Sequence, residues 1–309
     1  MITTVTLNPA IDQRLDFDSI QLGKVNRVIN SKQEAGGKGI NVSKVLRGLG
    51  EDSTATGFIG GGSGVWINNW LKMKGIKTDF VLTDTETRTN LKLIDHNSFM
   101  ITDINHGGDP IKEVYLKALY EKVGELVEVS EILVLSGSLP KATPSHVYKD
   151  LMEIANKRNC ITILDAEGEA LLEAIEGKPH MIKPNIHELE STFKVKINNE
   201  EDIINKAKFF LEKGVQLVVV SMGEEGAMLI SNTEVLKAET IKVEVSSTVG
   251  AGDSMVAAFA YGIKKGLQLE ETFKLAIASA TLSVSKGTTL HDLEEINNYV
   301  KAVKIKKLK

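Results

Sequence analysis

The sequence has 309 residues, 42% of them hydrophobic and 25% charged, which is enough chain for one large or two small domains with a substantial core. A formal charge of −4 argues against a surface built for nucleic acid or anionic lipid, so any basic site must be local. The single cysteine, Cys160, excludes an internal disulfide and a cysteine-cluster metal site. We expect a cytoplasmic protein without nucleic-acid or membrane partners, since no signal peptide opens the chain and no apolar run approaches the ~18 residues that span a bilayer.

The first residues predict two strands joined by a polar segment. Residues 2–7 read as a strand that ends at Asn8-Pro9, and a second short strand is predicted over residues 25–29. Asp12 is expected in the turn after the first strand. It could satisfy loop N–H groups there, or it could face a ligand.

Glycines surround Lys38 just before a predicted helix. Gly39 stands where a P-loop needs serine or threonine, so residues 35–46 are not a Walker motif. The glycines indicate either a plain turn or close approach of the backbone to a polar ligand. In the second case Gly37, Lys38 and Asn41 would lie at the entrance of the helix.

A predicted strand pair over residues 88–104 carries an unusual polar face. Alternation places Arg88, Asn90 and Lys92 on one side, and the chain has only five arginines in all. An arginine beside a lysine suits bidentate recognition of a phosphate. A solvated sheet edge that keeps neighbouring chains away would show the same pattern.

From residue 111 onward, apolar strands alternate with helical segments, which predicts a mostly parallel sheet covered on both faces. Ligands of such sheets bind beyond the carboxyl ends of the strands. We expect that edge to carry Ser136, Ser138, Asn185, Glu188, Ser221 and the turn at 250–253. The lysine-rich stretch after Val303 is expected to be loose.

The stretch at 247–255 is the strongest local signal for chemistry. It lies between an alternating segment at 241–245, predicted as a strand, and an apolar helix that ends at Gly266. Backbone N–H groups and the helix dipole would hold an anion at this point, and Asp253 would be a carboxylate beside it. A tight turn with an acidic cap would look alike. A dinucleotide site is excluded. Such a site needs a strand that ends in an acidic residue ~20 residues after the glycines, and the residues that follow here are predicted to be helical.

Two of these stretches together resemble the signatures of the ribokinase-like (PfkB) carbohydrate kinases: residues 36–41, Gly-Gly-Lys-Gly-Ile-Asn, and residues 248–253, Thr-Val-Gly-Ala-Gly-Asp. Residues 6–9, 136–140 and 183–188 also resemble that family, so the likeness covers nearly the whole chain. It implies a three-layer α/β sandwich with a mostly parallel central sheet, formed by one domain over residues 1–309. It also implies a small β lid inserted at about 14–34 and 88–104, through which two chains would form a homodimer.

The likeness is greatest to the branch that phosphorylates sugar phosphates. It implies transfer of a phosphoryl group from ATP to a ketohexose monophosphate. Residues 87–92 favour fructose 1-phosphate as the acceptor, with tagatose 6-phosphate as the alternative. A non-catalytic sugar-binding protein of the same fold is a third interpretation, against which Asp253 argues.

The resemblance also implies a set of site residues. The sugar phosphate would bind at Asp12, Gly37, Lys38, Asn41, Arg88, Asn90, Lys92 and Ser138. ATP would bind at Asn185, Ser221, Gly223, Gly226 and Gly252, with Glu188 ordering Mg²⁺. Asp253 would act as the base, while the amides of Gly250, Ala251, Gly252 and Asp253 itself hold the developing negative charge.

Overall fold

The computed structural model describes residues 1–308 of the chain. The strands are β1 (Ile2–Thr6), β2 (Ala10–Phe17), β3 (Asn30–Gly36), β4 (Ser53–Gly60), β5 (Lys77–Thr78), β6 (Val81–Thr83), β7 (Arg88–Asp95), β8 (Met100–Ile104), β9 (Ile132–Ser136), β10 (Ile161–Asp165), β11 (Met181–Ile182), β12 (Leu217–Ser221), β13 (Ala227–Ser231), β14 (Val235–Ala238) and β15 (Ile305–Lys307). The α-helices are α1 (Lys38–Gly48), α2 (Gly61–Met73), α3 (Glu113–Leu126), α4 (Val147–Asn156), α5 (Gly168–Ala174), α6 (Ile186–Phe193), α7 (Glu200–Glu212), α8 (Ala251–Lys265), α9 (Leu269–Lys286) and α10 (Leu293–Val300).

The main sheet is mostly parallel, as predicted. Its strand order is β15-β14-β13-β12-β11-β10-β9-β1-β4-β5, and β6 also pairs with β4. The pairs from β4 through β12 are parallel, whereas β13, β14 and β15 add an antiparallel edge. Crossover helices connect the parallel strands, so the carboxyl ends of β1, β9, β10, β11 and β12 lie along one edge.

Alternating side chains of the central strands enter two separate cores. On β9, Ile132 and Val134 face a core shared with α1, α8, α9 and α10. Leu133 and Leu135 face the opposite core, which α3, α4, α5, α6 and α7 complete. Strands apolar on both faces belong in a sheet covered by helices on both sides, and the three-layer α/β prediction is confirmed.

A second sheet of four strands, in the order β3-β2-β7-β8, lies beside the start of α1. β2 pairs with β3 antiparallel and with β7 parallel, which places Asp12 opposite both Glu34 and Asn90. The apolar residues Ile11 and Ala35 pack with α2 in a small third core. This sheet carries the polar face that the sequence predicts for Arg88, Asn90 and Lys92.

Two predictions about the small sheet were wrong. Asp12 lies within β2, not in a turn, because the chain re-enters a strand directly after Pro9. Residues 25–29 form no strand. Around the lid segment expected at about 14–34, the paired strands are Ala10–Phe17 and Asn30–Gly36. The intervening loop is held by polar side chains, among them Asp95, whose carboxylate accepts the N–H of Ile20 at 2.8 Å.

Two predictions near the end of the chain also fail. The alternating segment at 241–245 is not a strand: β14 ends at Ala238, and residues 241–245 pair with no strand of the sheet. The chain instead runs to α9, where the N–H groups of Ser246 and Ser247 donate to the carbonyl of Val284. The stretch after Val303 is not loose, since residues 305–307 form β15 against β14.

Helix α8 ends at Gly266 in the left-handed conformation, as the apolar run predicts. Cys160 is buried, and burial raises the pKa of its thiol to about 11, which makes it a poor nucleophile. None of the helices formed by residues 1–308 has the length and apolar character that crossing a membrane requires.

Candidate active site

Asp253 and Asn41 meet where two helices begin. Asp253 lies in the first turn of α8, and Asn41 in the first turn of α1. The Asn41 Nδ2 donates to the Asp253 Oδ2 at 2.8 Å, and both side chains are buried. The contact joins residues 212 apart in sequence, so only the assembled fold creates it.

The N-terminus of α8 has no side-chain cap, which leaves backbone N–H groups free to bind an anion. Gly250 adopts the left-handed conformation with φ 84°, and no side chain caps the helix. A side chain at residue 250 would collide with Thr289, so glycine is required there by both backbone and space. Of the amides predicted to hold charge, that of Ala251 donates weakly to Thr248 at 3.4 Å. Those of Gly252 and Asp253 point outward from the first turn, where the helix dipole is positive.

Burial makes Asp253 a stronger base than an ordinary carboxylate. Its pKa is raised to about 6, first by burial and then by the nearby carboxylate of Asp165. The ammonium groups of Lys38 and Lys183 and the hydrogen bond from Asn41 oppose that rise. A carboxyl that titrates just below neutral pH is well matched to accept a proton near pH 7.

Two lysines flank Asp253 and share one buried carboxylate. Lys38 Nζ lies 3.3 Å from Asp165 Oδ1, and Lys183 Nζ lies 3.5 Å from the same oxygen. The neighbouring carboxylate of Asp165, followed by that of Glu188, raises the pKa of Lys38. A Cβ on Gly252 would sit 3.1 Å from Lys183 Nζ, so the absence of a side chain brings that ammonium close to the anion site. The site therefore combines fixed positive charge with one free base.

The start of α6 carries a second polar pair. Asn185 Oδ1 accepts from the Glu188 N–H, and Glu188 Oε2 accepts from the Asn185 N–H, each at 2.8 Å. This capping box fixes the Glu188 carboxylate, whose other oxygen lies 3.7 Å from Lys38 Nζ. Asn185 also bridges to Ser221 at the end of β12. The predicted ATP residues on these two strand ends are thus neighbours.

The glycines after β12 have different structural roles. Gly223 has φ 60° and open space around it, which leaves the turn accessible to a ligand. Gly226 has φ 96°, and a Cβ there would lie 2.0 Å from the carbonyl oxygen of Ala238. The fold itself therefore requires glycine at 226, whether or not a nucleotide binds beside it.

The small sheet places Asp12 against Asn90. Asn90 Nδ2 donates to Asp12 Oδ1 at 2.9 Å across the strand pair. A Cβ on Gly36 would lie 2.0 Å from Asp12 Oδ2, and one on Gly37 would lie 2.7 Å from a methyl of Thr6. These glycines let the carboxylate and the start of α1 approach each other closely.

Arg88 is anchored by backbone carbonyls. Its guanidinium donates to the carbonyls of Asn8 at 2.9 Å, Pro9 at 3.4 Å and His106. A guanidinium has five N–H donors, so these contacts leave some free for a ligand. The Asn8 side chain in turn donates to Ser138 Oγ at 3.4 Å, which links Ser138 to the same corner.

Lys92 lies further along β7, away from these contacts. It pairs with Asp103 of β8 at 2.6 Å, and Asp103 is its direct partner in the register. This pair satisfies the charge of Lys92 within the sheet. Of the predicted sugar residues, Lys92 is the one that the described contacts do not connect to the others.

Several charged residues that sequence reasoning missed lie in the site. Asp165 ends the buried strand β10 at the carboxyl edge, and Lys183 lies just after β11, two residues before Asn185, so position alone could have flagged both. Lys44 and Glu34 gave no such signal. Lys44 is buried on α1, and its importance becomes visible only from its contacts, which include Asn41 Oδ1 at 3.2 Å.

The donor set suits Mg²⁺ only with help from a substrate. Among the described residues, no group of three or more His, Cys, Asp or Glu side chains is arranged to hold a metal ion by itself. Magnesium in phosphoryl-transfer sites usually takes one or two carboxylates, with waters and substrate phosphates completing the shell. The single carboxylate of Glu188, held in place by the capping box, fits a site that water and substrate phosphates complete.

An uncapped helix start, a buried carboxylate and two flanking lysines meet at the carboxyl edge of a parallel sheet, and these are parts that a phosphoryl-transfer site needs. A sequence profile of the pfkB family carbohydrate kinases matches residues 5–296. The chain therefore belongs to the pfkB family of carbohydrate kinases, which confirms the predicted resemblance, and it is a phosphotransferase.

Individual relatives resemble the chain over nearly its full length. The 1-phosphofructokinase of Borreliella burgdorferi is 39% identical over 290 residues, which cover 93% of this chain and 92% of that protein. The tagatose-6-phosphate kinase of Staphylococcus epidermidis is 33% identical over 294 residues and 94% of each chain. The crystal structure of Escherichia coli phosphofructokinase-2 in complex with substrates and products has a TM-score of 0.91 at 28% identity, covering 97% of this chain and 98% of that one.

The raised pKa of Asp253 predicts that Asp253→Asn stabilises the fold in a pH-dependent way. A carboxyl whose folded pKa is raised favours folding fully at low pH and loses that contribution as pH rises through about 6. Asparagine removes the disfavoured buried charge. Thermal unfolding should show a gain of about 1–3 kcal/mol at pH 8 that shrinks towards pH 5.

Asp165→Asn is the matched control, with the opposite sign. Burial alone would raise the pKa of Asp165, but Lys183 and Lys38 outweigh burial and lower it. Its charge therefore stabilises the fold above its ordinary pKa, and its loss should cost roughly 3–5 kcal/mol at neutral pH. Equal destabilisation by both variants at pH 8 would contradict this description of the site.

Proposed function

We propose that this kinase transfers the terminal phosphoryl group of ATP to fructose 1-phosphate, giving fructose 1,6-bisphosphate. The observation that carries the proposal is the contact between Asn41 and Asp253, which puts a raised-pKa carboxylate at the uncapped start of α8. The small sheet, with Asp12 and Arg88, adjoins that point through α1. The similarity to a 1-phosphofructokinase over nearly the whole chain supports the choice of sugar phosphate.

Asp253 acts as the base in the proposed reaction. The acceptor hydroxyl loses its proton to the free Oδ1 of Asp253 while its oxygen forms a bond to the terminal phosphorus of ATP. The bond between that phosphorus and the bridging oxygen breaks, and ADP leaves with the electron pair. The amides of Gly252 and Asp253 hold charge that develops on the moving group, with Lys38 and Lys183 adding positive potential.

ATP is held by residues on neighbouring strand ends. Asn185, the N-cap of α6 just after β11, bridges to Ser221 at the end of β12, and the turn from Gly223 to Gly226 follows Ser221. Glu188 would hold Mg²⁺ together with water and the ATP phosphates. The ion neutralises phosphate charge when bound.

The phosphate of the sugar is assigned to Arg88. Its guanidinium is fixed by backbone carbonyls and keeps free donors, so it is pre-organised to bind an anion. Ser138 reaches the same corner through Asn8, and Asp12 with Asn90 provides carboxylate and amide groups for sugar hydroxyls. Lys92 joins the site only if its pair with Asp103 opens.

Tagatose 6-phosphate is the second candidate acceptor, with tagatose 1,6-bisphosphate as its product. It is favoured by the similarity to a tagatose-6-phosphate kinase over 94% of the chain. Both acceptors carry one phosphate and one reactive hydroxyl at opposite ends of a ketohexose, so the same base and arginine would serve either.

Coupled ATP turnover on a panel of acceptors tests the proposed function. Fructose 1-phosphate should give the highest kcat/KM among fructose 1-phosphate, tagatose 6-phosphate, fructose 6-phosphate and free fructose. Asp253→Asn should lose about 10²–10⁴ in kcat while folding normally, because positioned base catalysis contributes that much. Preference for free fructose, or turnover unchanged in Asp253→Asn, would refute the proposal.

Arg88→Ala should raise the KM for the sugar phosphate with little effect on that for ATP. Loss of a charge-assisted contact to phosphate weakens binding by about 1.5–3 kcal/mol, or roughly 10- to 100-fold. Arg14→Ala is the control, since Arg14 lies on the same sheet but pairs with Asp16 at 2.7 Å. If Arg88→Ala raises both KM values equally, Arg88 does not bind the sugar phosphate.

The small sheet is also proposed as the contact between two copies of the chain. Two of its connections and β8 expose large apolar side chains that are 63–96% exposed: Leu22 and Val25 between β2 and β3, Phe99 before β8, and Met100 in β8. Sedimentation should find a dimer that Phe99→Asp weakens, whereas Met73→Asp, at another exposed apolar position, leaves it intact. A monomeric wild-type chain would refute this contact.

A further inference from the structure

Lys44 is a buried lysine one turn after Asn41 on α1. It is 2% exposed, although lysine is seldom fully buried unless paired. Burial lowers the pKa of Lys44, while the carboxylates of Glu34, Asp12 and Asp253 act in the opposite direction. A buried ammonium in the middle of a site calls for an explanation beyond packing.

The contacts of Lys44 explain how Asn41 is oriented. Lys44 Nζ lies 3.2 Å from Asn41 Oδ1, while Asn41 Nδ2 donates to Asp253 Oδ2 at 2.8 Å. If the amide of Asn41 were flipped, its NH₂ would face an ammonium and its oxygen would face a carboxylate. Both contacts would then be repulsive, so the cation and the anion together allow only one orientation.

The orientation of Asn41 decides which oxygen of Asp253 stays free. With Oδ2 engaged by Asn41, Oδ1 receives no side-chain hydrogen bond from any described residue. A base with one oxygen committed presents the other in a fixed direction, and general-base catalysis depends on that geometry.

Lys44 is itself anchored from the small sheet. Its Nζ lies 3.7 Å from Glu34 Oε2 and 5.0 Å from the centre of the Trp70 ring. Burial alone would raise the pKa of Glu34, but Lys44 and Lys32 outweigh it and lower the pKa. Glu34 lies on β3 directly opposite Asp12, so the anchor belongs to the strand pair assigned to the sugar.

We propose that Lys44 is a positioning residue for phosphoryl transfer: anchored by Glu34, it holds the amide of Asn41 so that Asp253 presents Oδ1 to the acceptor hydroxyl. The chain Glu34–Lys44–Asn41–Asp253 connects the small sheet to the base. Because Lys44 acts through Asp253, its role rests on the proposed function.

Kinetics of Lys44→Met test this role, since methionine keeps the volume but removes the charge and the donor. We expect kcat to fall about 10- to 100-fold, part of what a positioned base contributes, with the KM for ATP within about twofold. The acid limb of the kcat profile should move to higher pH, because a cation near Asp253 is lost. The other charges facing Asp253 remain: Asp165 from β10, Lys38 from α1 and Lys183 after β11.

Two further variants separate positioning from packing. Lys44→Arg keeps the cation and should recover most of kcat and the wild-type acid limb, even with a lower Tm. Lys264→Met removes another poorly exposed lysine, paired with Glu51 at 2.7 Å, and should leave kcat and the acid limb unchanged. If Lys44→Met does not fold, Glu34→Gln should show a smaller fall in kcat and a smaller movement of the acid limb to higher pH.

The outcomes separate a failure of the proposed function from a failure of the role assigned to Lys44. Turnover unchanged in Asp253→Asn would refute the proposed function, whatever Lys44 does. If Asp253→Asn is inactive while Lys44→Met keeps kcat within about twofold and the same acid limb, only the role of Lys44 is refuted. Equal loss in Lys44→Met and Lys44→Arg would likewise reduce Lys44 to packing, as would an unaffected Glu34→Gln.

Discussion

The hydrogen bond between Asn41 and Asp253 is the interaction on which the rest of the site depends. It joins the first turns of α1 and α8, so two helix N-termini converge on one buried carboxylate. Burying a carboxylate without partners would destabilise the folded protein and raise the pKa of the group strongly. Here Asn41 satisfies one oxygen, and the nearby lysines leave the pKa only moderately raised, at about 6. The fold therefore keeps a base that is ionised near neutral pH and yet able to take up a proton.

Charge in the site is arranged in pairs that share members. Asp165 binds both Lys38 and Lys183, and Lys38 also lies near Glu188. Because each ammonium is held by a carboxylate at a strand end or helix start, the positive potential is fixed before any phosphate arrives. Pre-organised charge of this kind needs no rearrangement during transfer, which is the main source of electrostatic catalysis. The burial of Asp253 both costs folding free energy and raises the pKa that suits the carboxylate to act as a base.

Local patterns predicted the sheet and which residues lie at its carboxyl edge. The buried strands β9, β10 and β12 are apolar runs ending in Ser or Asp, and period and turn residues were enough to place their carboxyl ends together. The start of α8 was also visible in the sequence. The left-handed backbone at its N-cap needs glycine at 250, and an acidic residue, Asp253, is typical of a first helical turn.

Other features depend on contacts distant in sequence and could not be predicted from patterns. Alternation at 241–245 suggested a strand, but the segment pairs with no described strand, and Ser246 and Ser247 after it donate instead to the carbonyl of Val284 in α9. In the sequence Lys44 looks like any lysine on the exposed side of a helix. Its burial becomes visible only in the fold, where Glu34 and Trp70 pack around it. The pairing of Lys92 with Asp103 depends equally on the register of β7 and β8.

The most direct test of this account is the protonation of Asp253 itself. A difference infrared titration of wild-type protein against Asp253→Asn isolates the carboxyl band of this one residue. With Asp253 buried as described, the band should titrate with a midpoint of about pH 6. A midpoint near that of an exposed aspartate, about pH 3.9, would mean that the carboxylate is solvated and not held by Asn41 in the buried position described.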